Sequence, residues 1–226
     1  MGKKFTPALA YDFLTPLFDR VLNLLGYGKT FKRLVLELAE IRNGEKILDV
    51  GCGSGTLLIE AKTKYPNSDF VGIDPDKEIL QRAERKLEQA GVTAMLMQGF
   101  AQELPFPPAS FDLAISTLIF HHLSTQVKME SIKEIYRILK DKGRFLLADF
   151  GRPDNICARL ILNLGSIFDG TSNMKDNVEG NLPVFLEEAG FKVTQLEARY
   201  RGVQFWLAAK RTQGASRGGQ SLEGKG

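Results

Sequence analysis

The chain reads as an α/β protein: a doubly wound, mostly parallel seven-stranded sheet, closed by an antiparallel C-terminal hairpin strand and preceded by N-terminal cap helices. Three observations predict this. From residue 46 to residue 150, short apolar runs alternate with stretches of helical periodicity about 10–15 residues long, the pattern of a parallel sheet with helices on both faces. The first run, Lys46-Ile47-Leu48-Asp49-Val50, opens directly into a glycine turn, Gly51-Cys52-Gly53-Ser54-Gly55. The last two runs, 191–198 and 203–209, are separated only by Tyr200-Arg201-Gly202, as in an antiparallel hairpin.

Each element follows from its own pattern. Residues 8–25 carry a helical stripe of Leu14, Leu17, Phe18, Val21, Leu22 and Leu25, stopped by Gly26 and Gly28. A second helix over 30–41 aligns Phe31, Leu34, Val35, Leu38 and Ile41, and Asn43-Gly44 turns the chain into strand 46–50. Helix 55–65, strand 69–74, helix 76–90 (closed by Gly91), strand 93–98, strand 111–116 and helix 126–140 follow. Asp141-Lys142-Gly143 is expected as a tight turn into strand 144–150. The repeat then breaks at 152–180, where Ile156, Leu160, Leu164 and Phe168 fall in helical register ahead of a polar stretch. Helix 181–189 ends at Gly190 and precedes the hairpin. Residues 211–226 are glycine-rich with almost no apolar side chains, and read as a disordered tail.

Bulk properties exclude several classes. The chain has 226 residues, 43% hydrophobic and 25% charged, as in a globular protein with one sizeable core. The net charge of +3 belongs to the tail, where Lys210, Arg211, Arg217 and Lys225 face only Glu223, so the body is formally neutral. A nucleic-acid partner, which would call for a basic stripe, is not expected. Two cysteines without a Cys/His cluster argue against a metal site or a disulfide framework. No apolar run reaches the roughly 18 residues of a membrane span, and Asp12 interrupts the segment after Lys3 and Lys4, so the expected location is cytoplasmic. Nothing in the pattern sets an oligomeric state.

The chemistry concentrates in Lys46–Pro75. Glycines at alternate positions leave backbone that another molecule can approach closely. Asp74 lies 19 residues beyond Gly55, where a doubly wound fold presents an acid to a ribose diol. A dinucleotide fingerprint would need glycine at position 56, which is Thr56; the third glycine comes one residue early, and this disfavours a nicotinamide-dependent oxidoreductase. Two roles are open to Asp74, ribose acceptor or helix N-cap ahead of Pro75.

The run Ile47–Gly55 resembles the first motif of class I S-adenosylmethionine-dependent methyltransferases, a Rossmann-like family. Gly72-Ile73-Asp74, Glu103-Leu104-Pro105-Phe106, Ser110–Ser116, Phe120-His121-His122-Leu123 and Leu139–Arg144 fall in that family's order, over roughly residues 30–210. The likeness is greatest to small-molecule methyltransferases such as those of ubiquinone and menaquinone biosynthesis. It implies a helical cap at 1–43, a cofactor-binding domain at 44–210 and a substrate-side insertion at 152–180.

The resemblance also implies roles. Gly51, Cys52, Gly53 and Gly55 would lie under the methionine portion of S-adenosylmethionine, with Asp49 orienting the turn and the amino group. Asp74 would take both ribose hydroxyls, and Pro75 and Ile79 would face the adenosine. Phe100, Ala101 and Gln102 occupy the adenine end, where the family commonly has Gly-Asp-Ala; Phe100 cannot accept the adenine amino hydrogen, so weaker adenine discrimination is expected. Ser116 and Thr117 are placed with the cofactor. His121 and His122, just past the fourth strand, are the candidate general bases, the alternative being a packing or capping role. Quinone-forming relatives have a glycine- and asparagine-containing segment at this place.

Tyr11, Phe18, Phe120 and Phe168 are candidate substrate contacts, although such apolar stripes also serve simply to cover a sheet. The expected acceptor is a small apolar or aromatic molecule, drawn in one version from a membrane surface that the protein touches peripherally. A non-catalytic cofactor-binding module is the remaining rival.

Overall fold

The computed structural model describes residues 24–153 and 173–211. The expected helix at 8–25, most of the 152–180 insertion and the tail beyond Arg211 lie outside the described residues, and with them Tyr11, Phe18 and Phe168.

Seven strands form one sheet in the order β3-β2-β1-β4-β5-β7-β6. They are β1 (Lys46–Val50), β2 (Asp69–Asp74), β3 (Met95–Gln98), β4 (Phe111–Thr117), β5 (Leu139–Phe150), β6 (Phe191–Tyr200) and β7 (Val203–Lys210). β1 pairs in parallel with both β2 and β4, so the strand order reverses between β1 and β4. That switch point opens a crevice at the carboxyl ends of the strands, where open α/β sheets bind ligands. β7 runs antiparallel to β5 and to β6, as the hairpin required. Its turn is Arg201-Gly202, both at positive φ, the conformation a two-residue hairpin turn needs.

Helices cover both faces: α1 (Lys29–Leu38), α2 (Thr56–Lys64), α3 (Lys77–Ala90), α4 (Thr125–Ile138), α5 (Lys175–Glu179) and α6 (Leu182–Glu188). The strand periodicity of two sends alternate residues to opposite cores. Ile47 packs with Phe31, Val35, Leu57 and Leu58 on one side. Leu48 and Val50 pack with Ile132, Ile135 and Leu182 on the other. This is why β1 reads as a continuous apolar run broken only by Asp49.

Two local expectations are corrected. Helix α4 stops at Ile138, and Leu139 already pairs with Phe111. The ladder then jumps to Leu113↔Arg144, so Asp141-Lys142-Gly143 is a bulged tight turn enclosed within β5, with Lys142 at positive φ, rather than one that precedes the strand. The bulge aims Arg144 inward, where its guanidinium grips both carboxylate oxygens of Glu45 at 2.9 Å and donates to the Glu40 carbonyl. Secondly, the polar stretch ahead of residue 180 includes the short helix α5, which no periodicity announced. Its buried residues are Asp176 and Asn177, polar groups held by specific partners.

Candidate functional site

The glycine turn that follows β1 is shaped by positive φ at Gly51, Gly53 and Gly55. At Gly51 a side chain is also excluded by space, because a Cβ would come within 2.6 Å of Ile119 Cγ2. The Gly51 and Cys52 amides both donate to the Ile73 carbonyl, at 2.8 and 3.1 Å, which binds the turn to the end of β2. Helix α2 then starts immediately, with Gly55 as its N-cap.

Asp74 completes this arrangement. Its Oδ2 accepts the Gly53 amide and its Oδ1 the Asp76 amide, each at 3.0 Å. The cap of α3 is Asp76, whose carboxylate accepts from Glu78 and Ile79, so Asp74 is not consumed by capping. Burial raises its carboxyl to about pH 6 against the opposing pull of the Asp76 and Gly53 amides. Asp49 stands close by in the middle of the sheet, 2% exposed, with Oδ1 lacking a hydrogen-bond partner among the described residues. Burial, and then the Asp74 charge, push its carboxyl up to about 7, while Lys32 acts in the other direction.

These groups line a cavity of about 280 Å³ at the switch point. Asp49, Gly51, Cys52, Gly53, Asp74, Ile79 and Thr117 all border it, as do His121 and His122. Leu25, Tyr27, Phe31, Val35, Ile119 and Phe150 add an apolar and aromatic wall to the same cavity. Tyr27 meets Phe31 and Phe150 edge-on at 5.5 and 6.1 Å. Its hydroxyl donates to the Arg201 carbonyl, and Tyr200 donates to the Gly26 carbonyl, so the β6–β7 turn braces this wall.

Other residues singled out in the sequence do not line the cavity. Ser116 is fully buried and donates to the Val50 carbonyl, tying β4 to β1. Phe120 is fully buried against Phe145 and does not reach the cavity. Phe100, Ala101 and Gln102 are half-buried just beyond β3, whose end is joined to Asp74 through the Gly99 amide. Pro75 is held in place by Gln98 Nε2 on its carbonyl, and Gly55 serves as the helix cap.

Sequence reasoning missed the support behind the histidines. Phe120–His122 form one 3-10 turn, and His121 Nδ1 lies 2.8 Å from Oδ1 of the fully buried Asp149 on β5. Asn177 Nδ2 donates to the Phe150 carbonyl at 2.8 Å. Lys128 and Asp176 form a buried ion pair at 3.0 Å. An acid near the end of the fifth strand was visible in the sequence, but nothing local tied it to a histidine 28 positions earlier.

Comparison with known proteins is consistent in its direction. A family model described as a methyltransferase domain matches residues 47–143. An uncharacterized methyltransferase of Synechocystis is 30% identical over 188 residues, covering 82% of this chain and 85% of the relative. The demethylmenaquinone methyltransferase of Thermus thermophilus is 27% identical over 219 residues, covering 88% and 96%. Among solved structures, an Aquifex aeolicus S-adenosylmethionine-dependent methyltransferase superposes with a TM-score of 0.67 at 20% identity, over 91% of this chain and 98% of its own, and so shares the fold.

Proposed function

The chain belongs to the methyltransferase-domain family, and from that premise we propose that it methylates a small apolar or aromatic organic acceptor. S-adenosylmethionine is the methyl donor, and the residues present suit it. The unpartnered Oδ1 of Asp49 is a buried acceptor awaiting a cation, as the donor's amino group supplies. Each oxygen of Asp74 has acceptor capacity beyond the one amide it takes, as a ribose diol requires. The turn at Gly51–Gly55, with glycine at alternate positions, admits the chain that links these two ends.

When bound, the donor supplies a methyl group already activated on a sulfonium. The protein's own work is therefore orientation and exclusion of water, and orientation is worth effective molarities on the order of 10⁵–10⁸ M. The observation carrying the acceptor class is the mixed lining of the cavity, in which two acids and a glycine turn meet a wall of aromatic and aliphatic side chains. A quinone-like acceptor is supported by the menaquinone relative, and an acceptor partitioned in a membrane would be taken from its surface. No helix among the described residues is long and apolar enough to cross a membrane. In this reading the segments 1–43 and 152–180 cap the acceptor end, and His121 or His122 takes a proton when the acceptor must lose one.

The test is methyl labelling: radiolabelled S-adenosylmethionine, the protein, and fractionated metabolite and lipid extracts, followed by identification of the labelled product. An apolar or aromatic small-molecule product is expected. A labelled protein or nucleic acid would refute the acceptor class.

A further inference from the structure

Four donors and a histidine ring nitrogen converge on the Asp149 carboxylate. Its Oδ2 accepts the Phe120 amide at 2.7 Å and the His121 amide at 3.4 Å. Its Oδ1 accepts the Phe150 amide at 2.7 Å and Asn177 Nδ2 at 3.4 Å, and faces His121 Nδ1 at 2.8 Å. Lys128, fully buried on α4, adds an electrostatic attraction to the same group. With amide donors already on both of its oxygens, the carboxylate meets the ring nitrogen as a hydrogen-bond acceptor. Nδ1 is then the nitrogen that carries the proton, and Nε2, on the opposite edge of the ring, keeps its lone pair.

The ring is also fixed sideways. Phe150 meets it edge-on with centroids 4.9 Å apart, and the His122 ring lies 3.9 Å away. Both histidines border the cavity, but His121 is buried and braced by a carboxylate whereas His122 is exposed.

We propose that Asp149 is a positioning residue that holds His121 as its Nδ1–H tautomer, with Nε2 open to the cavity as the proton acceptor. The inference rests on the methyltransferase reading above and narrows its acceptor to molecules that must shed a proton. These are a phenolic or enolic hydroxyl, an N–H, or a C–H made acidic by a neighbouring carbonyl. The proton passes from the acceptor atom to Nε2, and the electron pair of that bond stays on the acceptor atom. The imidazolium so formed faces the Asp149 carboxylate, and its proton then leaves to water.

His121 and His122 are the only histidines in the chain, so their ring nitrogens can be read directly. Long-range proton–nitrogen correlation spectra of protein labelled with ¹⁵N-histidine are recorded without cofactor, at a pH where imidazole is neutral. A His122→Gln variant assigns the two rings. His121 is expected as the Nδ1–H tautomer, with an Nδ1 proton protected from exchange, and Asp149→Asn is expected to abolish that tautomer's dominance. An Nε2–H or freely averaging His121 in the wild type overturns the proposal whether or not the variant folds, and so does a folded Asp149→Asn protein with an unchanged tautomer. The labelled product supplies a separate arm: a methyl group on an atom that bore no proton, as in a sulfonium or quaternary ammonium, overturns the acceptor class and leaves the methyltransferase reading standing. Failure of S-adenosylhomocysteine to bind would strike that reading without touching the histidine spectra.

Discussion

At the residue scale, the proposed cofactor site rests on two carboxylates, and they behave differently. Asp74 is organised by backbone, and its remaining acceptor capacity suits two hydroxyls. Hydrogen bonds to a charged acceptor are worth about 1.5–3 kcal/mol each. Asp74→Ala should therefore weaken S-adenosylhomocysteine binding by at least about a hundredfold in titration calorimetry, and a loss below tenfold would contradict the ribose assignment. Asp49 instead waits for a charge. Its carboxyl is raised to about 7 in the free protein, and a cationic amino group beside it favours the ionised form, so binding expels a proton. Affinity should then climb by up to tenfold per pH unit below about pH 6 and level off above about 7. The stability of the free protein carries the opposite sign. A carboxyl raised by folding favours the folded state at low pH, and that contribution is lost as pH rises through about 7. Asp49→Asn should accordingly be more stable than the wild type at pH 8 and lose that advantage near pH 4, as urea unfolding at the two values would show.

At the scale of elements, the short helix α5 is placed by polar contacts in a protein otherwise assembled by apolar ones. Asp176 Oδ2 accepts both Lys128 Nζ and Thr125 Oγ1, at 3.0 and 2.8 Å, and Lys128 also donates to the Asn173 carbonyl. Asn173 in turn donates to the His122 carbonyl at 2.7 Å. The pair thus fastens residues 173–179 to the start of α4 and to the histidine turn. Burial lowers the Lys128 ammonium against the pull of Asp176, which marks the cost of placing a charge there. Removing one partner leaves the other buried and uncompensated, so Lys128→Met should cost about 3–5 kcal/mol in urea unfolding. The double variant Lys128→Met/Asp176→Leu should recover most of that loss; if it is no more stable than the single one, the charge argument fails.

At the scale of the molecule, the sheet was legible because its central parallel strands β1, β2 and β4 are covered on both faces, which forces the apolar runs they display. The glycine turn and its two carboxylates were legible because one contiguous stretch, Asp49 to Asp74, holds them. The surroundings of His121 and the aromatic wall were not, since Tyr27, Phe31, Asp149, Phe150 and Asn177 come from three segments that only the fold brings together. Periodicity had marked Phe31 as one member of a covering stripe, and in the structure it does both jobs, packing on Phe205 while bordering the cavity. Such an arrangement links ligand occupancy to the stability of the whole domain, because the turns after β1 and β2, α1 and the β6–β7 turn all meet around one cavity. A ligand present at a hundred times its dissociation constant adds about 2.7 kcal/mol. For a domain of this size, that is roughly 5–11 °C in the unfolding midpoint. S-adenosylhomocysteine should give a shift of that order, and NADH none, since position 56 is threonine where a dinucleotide turn needs glycine. Asp74→Ala should lose most of the S-adenosylhomocysteine shift at the same ligand concentration. A shift retained in full would mean that the ligand binds away from the switch point, and one produced by NADH alone would assign the turn to a different cofactor.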